Sequence, residues 1–106
     1  MKVENLTNDK NNKAVNQFVI TTANAVYFQS YDTPCAKYAN GRVFLNRGYF
    51  GETFNGGSKT TNKHLYIWLH DYARFSYSQC CAKEIRKMIN DNEITLVSEE
   101  ELEYTS

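Results

Sequence analysis

Between Gln17 and Tyr31 (QFVITTANAVYFQSY) apolar and polar residues trade places at nearly every step. Phe18, Ile20 and Thr22 fall on one side of an extended chain, and Gln17, Val19 and Thr21 on the other. The β-branched and aromatic content is that of a strand. Ala23-Asn24 is a candidate two-residue turn, because Asn tolerates positive φ. A second strand then sets Val26, Phe28 and Ser30 against Tyr27, Gln29 and Tyr31. Asp32-Thr33-Pro34 is expected to end it, since proline donates no ladder hydrogen bond. Asn40-Gly41, between short runs at 35–39 and 42–46, is the strongest hairpin signal in the chain. It places Val43 and Leu45 on one face and Phe44 on the other. Four strands joined by short turns form an antiparallel meander.

Past a glycine-rich stretch (GYFGETFNGGSK), expected to be a loop with exposed aromatics, the period changes. Leu65, Trp68, Leu69 and Tyr72 recur at i, i+3, i+4 and i+7, the spacing of one helical face. Ser58, Thr60 and Thr61 are candidate N-caps, so a helix is predicted over about 61–73, hiding the single tryptophan against the sheet. Ser76 with Gln79 fits a capping box for a second helix running to about Ile89. Its apolar face carries Cys81, Ile85, Met88 and Ile89, and Lys83, Glu84, Arg86 and Lys87 lie opposite. Glu93 to Val97 reads as a short last strand. The expectation is an α+β domain: a meander of about four strands, two helices packed on one face, and a short C-terminal strand.

Composition adds boundaries. Residues 1–13, rich in Asn, Lys and Asp, are expected to be a mobile lead-in, 14–98 a single domain, and 99–106 an acidic tail. The formal net charge is zero, but residues 90–106 carry six acidic groups and no Lys or Arg, which leaves +6 on the remaining 89 residues. No global field therefore argues for nucleic acid, while the body and the tail are of opposite sign. Three cysteines, two of them adjacent, do not suggest a disulfide framework, and a reducing compartment is expected. No apolar run reads as a signal peptide or is long enough to span a bilayer, so no membrane association is expected.

The chemistry-bearing motifs mostly fail on spacing. The stretch from Gly51 to Thr60 resembles a phosphate loop, but Gly57 and Ser58 intervene where the lysine must follow the second glycine. A capped helix start bearing Lys59 remains a candidate anion site. His64 and His70 are six apart, on different helical faces, and Cys80-Cys81 lacks zinc-knuckle spacing; no metal or cofactor is expected. Cys81 reads as a small buried residue. A catalytic use of Cys35, His64 or His70 would need tertiary assembly that no local signature supports. Two surfaces suit binding instead. Lys59, Lys63, Arg74, Arg86 and Lys87, interleaved with Tyr66 and Tyr77, form a basic helical face. Tyr49 and Phe50 in the loop, with Glu99, Glu100 and Glu101 in the tail, are candidate partner contacts.

The order FQSYDT (28–33), Asn40-Gly41, SKTTNKHL (58–65) ahead of Trp68-Leu69, KEIRKMI (83–89) and Glu93-Ile94 resembles small phage-encoded proteins of uncharacterised function, over about residues 16–97. That resemblance implies action by binding, as anti-restriction, anti-CRISPR or host-takeover factors act. The expected function is a non-enzymatic accessory protein that binds and inhibits a host protein or nucleoprotein complex, in the host cytoplasm. The alternative is a small nucleic-acid-binding protein using the basic helix face, and a small hydrolase or nuclease is a distant third. An unpaired meander edge also offers a route to a homodimer.

Overall fold

The structure is a computed structural model that describes residues 1–8, 10–102 and 104. Six strands form one sheet in the order β1 (Lys2–Thr7), β2 (Lys13–Thr21), β3 (Val26–Ser30), β4 (Thr33–Ala39), β5 (Arg42–Asn46) and β6 (Ile94–Val97). Neighbours pair antiparallel except β5 and β6, which run parallel. A parallel neighbour needs a crossover. Here it contains α1 (Arg47–Phe50), α2 (Lys59–Tyr72), a 3₁₀ turn at Tyr77–Gln79 and α3 (Ala82–Asn90). The α+β class and the central meander are as expected. The finer expectation is corrected to six strands and three helices.

One face of the sheet holds the main core. Val19, Phe28, Ala36, Val43 and Leu45 meet Leu65, Trp68 and Leu69 from α2, and Ile85 and Met88 from α3. Trp68 is fully buried, its ring 6.3 Å from that of Phe28. The Asn40-Gly41 turn forms as expected, with φ of 54° and 75°. Two consecutive residues at positive φ match the right-handed strand twist, which is why this pair reads so clearly.

Ahead of β6, four segments depart from expectation. The lead-in is instead the edge strand β1 and the start of β2, and its Leu6 is fully buried. Lys2 and Glu4 share a face with Leu6, so the apolar alternation that marks a strand is missing there. Pro34 sits inside β4 rather than ending β3. It pairs with Gln29 beside a register shift between Phe28 and Gln29, where a missing donor is tolerated. The glycine-rich stretch is not a loop with exposed rings. Asn46 accepts from the Tyr49 N–H at 3.1 Å to start α1, and Phe50 and Phe54 turn inward, 5.2 Å apart. The Ser76–Gln79 pair closes a 3₁₀ turn, while α3 begins at Ala82 with an exposed Cys81 as its N-cap. The deeply buried cysteine is Cys35.

The opposite sheet face has its own small cluster of Ile20, Ala25 and Tyr27, with Ala39 and Tyr104 against it. The chain beyond β6 supplies that cover. A 3₁₀ turn at Glu99–Leu102 packs on β4 with Leu102 fully buried. Tyr104 then sets its ring edge-on to Tyr27 at 4.8 Å and donates its hydroxyl to Gln29 Oε1. The described part of the expected acidic tail is thus docked, and Glu103, Thr105 and Ser106 lie outside the described residues.

A basic cleft on the second helix

The N-terminus of α2 is tied to the sheet and to α1 by hydroxyls. Ser58 caps the helix, its Oγ accepting from the Thr61 N–H at 3.0 Å. The Ser58 hydroxyl donates to Thr61 Oγ1 at 2.9 Å, and Thr61 Oγ1 meets Ser30 Oγ of β3 at 3.0 Å. Tyr49 closes the set, its hydroxyl oxygen accepting from the Ser58 N–H at 3.2 Å. Burial raises the Tyr49 pKa, but the hydrogen bonds from Ser58 and Thr61 outweigh it, and the phenol sits below its ordinary value. The cap thereby fixes where the first two turns of α2 stand relative to the sheet.

Those two turns carry an open cleft of about 580 Å³ lined by Lys59, Thr60, Asn62, Lys63 and Tyr66. Lys59, Asn62, Lys63 and Tyr66 follow i, i+3, i+4 and i+7, so this is the polar counterpart of the Trp68 stripe. Tyr66 is half-buried, and its phenol is raised by burial and by Cys81 and Cys80, against a lowering pull from the Arg86 guanidinium. Arg86 Nε donates to the Thr53 carbonyl at 3.2 Å, which ties α3 to the segment between α1 and α2. A base or other flat ring can stack on Tyr66 while lysines meet anionic oxygens.

A second cleft, of about 500 Å³, is lined by Thr33, Asn46, Arg47, Gly48, Tyr49, Ser98 and Glu99. Tyr49 borders it and, through Ser58, touches the start of the basic cleft. Asn46 is buried and donates to the Pro34 carbonyl at 2.8 Å and to Glu99 Oε1 at 3.3 Å.

The expected contact residues are only partly brought together. Lys59 and Lys63 line the basic cleft; Arg86 does not line it, but its charge acts on Tyr66, which does. Arg74 does not join them. It is exposed past the far end of α2, with φ of 64°, and the helix from Lys59 to Tyr72 that separates it from Lys59 is roughly 20 Å long. Lys87 is exposed in the last turn of α3. Phe50 is fully buried and is withdrawn as a surface contact; Tyr49 is half-buried within the cap network. Glu99, Glu100 and Glu101 remain exposed, but on a docked turn, with Glu101 Oε2 accepting from the Ser98 N–H at 3.0 Å. Asn62 was missed as a cleft residue, although the polar i, i+3, i+4 stripe contains it.

The residues considered for catalysis have separate partners. Cys35 is fully buried, its thiol pushed up to about 12, chiefly by burial. His64 Nδ1 lies 2.8 Å from the Thr60 carbonyl. His70 meets Asp71 at 2.9 Å and stacks on Tyr77 at 3.8 Å, beside the β1–β2 loop. Among the described residues no three His, Cys, Asp or Glu side chains converge as a metal site, and no helix is long and apolar enough to cross a membrane.

The fold and cleft are those of a small α+β protein with a basic, aromatic-floored surface on its first long helix. The chain belongs to a family of unknown function (DUF8033), whose model matches residues 1–92. That span includes the whole of α2 and α3. No curated protein matches the chain, and no solved structure does.

Proposed function

We propose that this protein acts by binding rather than turnover, and that its contact surface is the basic cleft of α2, extended by Arg86 on α3. The supporting observation is the co-location of Lys59, Lys63 and Tyr66 around one open cleft on a helix anchored by its cap. Such a surface suits an anionic patch on a partner, with Tyr66 as an aromatic anchor. Read with the resemblance to small phage-encoded proteins, the partner is a host protein or nucleoprotein complex, and the outcome is inhibition, as with anti-CRISPR or other anti-defence factors. The second reading, direct binding of nucleic acid, is favoured by the same Tyr66, since every base has a π-face to stack.

Affinity capture from host lysate, with and without nuclease, tests the proposal. The wild-type chain is compared with a Lys59→Glu/Lys63→Glu variant, whose substitutions are solvent-exposed. Nuclease-resistant capture of a defined partner, lost in the variant, supports the leading reading. Capture lost to nuclease, with affinity falling steeply as salt rises, moves the assignment to nucleic acid. Capture indifferent to the charge reversal removes the cleft from both.

A further inference from the structure

The sheet ends at β1, whose outer backbone groups have no strand beyond them. Edges of this kind are templates for pairing, and proteins usually blunt them with charge or proline. β1 has no proline and carries two charges, Lys2 and Glu4, one residue either side of Val3. Val3 is 59% exposed, and Met1 beside it is 73% exposed. Register fixes their directions. Glu4 pairs with Val19, a residue of the main core, so Lys2 and Glu4 point to the helical face. Val3 pairs with Ile20, so it points to the opposite face.

We propose that β1 is a self-pairing edge: two copies of this chain join β1 to β1, antiparallel, about a two-fold axis at Val3. In an antiparallel pair, opposed side chains share a face, so only registers pairing residues of equal parity are allowed. A register centred on Lys2 opposes lysine to lysine, and one centred on Glu4 opposes glutamate to glutamate, both unfavourable. One centred on Asn5 leaves each Glu4 opposite a leucine. The register centred on Val3 sets Lys2 of each copy against Glu4 of the other, twice, and brings the two exposed valines together. The i, i+2 contact of Lys2 Nζ with Glu4 Oε1, 3.9 Å within one chain, then becomes part of a ring of four alternating charges. The charges that would block a foreign strand are those that accept this one.

The symmetry has a functional consequence. A two-fold perpendicular to the sheet keeps the helices of both copies on the same side. Both α2 clefts then face one way, and a long or repetitive partner meets two sites instead of one, with the gain that multivalency brings. The pairing does not depend on the α2 reading; it stands or falls on β1 alone.

Sedimentation velocity over a concentration series is the test. The wild-type chain is expected to dimerise reversibly. Lys2→Glu turns both cross-copy pairs repulsive and is expected to weaken the dimer about tenfold. Lys2→Glu/Glu4→Lys, which exchanges the charges and preserves every opposition, is expected to restore it. In a Cys80→Ser/Cys81→Ser background, Val3→Cys is expected to cross-link to itself on oxidation, because the axis passes through it, while Val15→Cys, at a position 78% exposed, is not. A chain that stays monomeric at its highest attainable concentration overturns the proposal. So does a dimer indifferent to Lys2→Glu, or one in which Val15→Cys cross-links as readily as Val3→Cys. Lys2, Val3, Glu4 and Val15 are solvent-exposed, so circular dichroism is expected to report an unchanged fold in each variant, with the Cys80→Ser/Cys81→Ser chain as the reference for the two cross-linking variants because Cys80 is half-buried.

Discussion

Truncating Leu102 to alanine separates a docked C-terminal segment from a solvated acidic one. Leu102 lies on the Glu99–Leu102 turn and is fully buried against β4. Returning a whole leucine side chain to water costs about 1.5–3 kcal/mol in transfer alone. Leucine-to-alanine changes in cores span about 2–5 kcal/mol once the cavity is included. A terminal turn can close part of its cavity by shifting, so the lower half of that range applies, about 2–3 kcal/mol. For a domain of this length that corresponds to a fall in Tm of about 10 °C or more. Urea unfolding followed by fluorescence is suited to the measurement, because the chain has one tryptophan and it is fully buried. The midpoint is expected to fall with the slope unchanged. A loss below about 0.5 kcal/mol, the level of an ordinary surface substitution, would refute the docking of this segment.

Thr61→Val keeps the shape of a buried side chain but removes its hydroxyl, leaving the Ser30 and Ser58 hydroxyls without that partner. A loss of about 1–3 kcal/mol is expected by urea unfolding, and a neutral result would contradict the cap network. Cys35 predicts an alkaline limit. Its thiol is raised from 9.0 to about 12 in the fold, so the unfolded chain releases this proton first. Its contribution is intact below pH 9.0 and is lost progressively as pH rises from there toward about 12. The urea midpoint is expected to fall over that window, less steeply in Cys35→Ala. An aromatic disulfide reagent is expected to modify Cys81 in the folded protein and Cys35 only after unfolding; rapid modification of Cys35 at neutral pH would refute its burial.

What the amino-acid order disclosed follows from where the signal is local. Asn40-Gly41 announced its turn because few residue pairs adopt two successive positive φ values. The Trp68 stripe announced α2 because one helical face is enough to define a period. β1 was hidden because an edge strand places Lys2 and Glu4 on the inner-facing side, where they reach water, and so breaks the alternation that marks interior strands. Phe50 and Phe54 were misjudged because their burial depends on Asn46 and Gly56 closing α1, through the Gly56 N–H donating to the Phe50 carbonyl at 2.7 Å, and not on spacing. The tail was read by its glutamates, while Leu102 and Tyr104 between them do the docking. For the cleft, the lysines were legible as a charged face. Tyr66 shares their helical stripe and was legible with them. The bond of Arg86 to the Thr53 carbonyl needed the tertiary fold, and the separation of Arg74 needed the helix length.

Amide hydrogen exchange on the chain, free and bound to the captured partner, tests the central claim most directly. Added protection is expected over residues 58–66, the turns that carry Lys59, Lys63 and Tyr66, with the interior strands β3 and β4 unchanged. Unaltered exchange in that stretch, with new protection elsewhere on the surface, would contradict the assignment of the α2 cleft as the contact site.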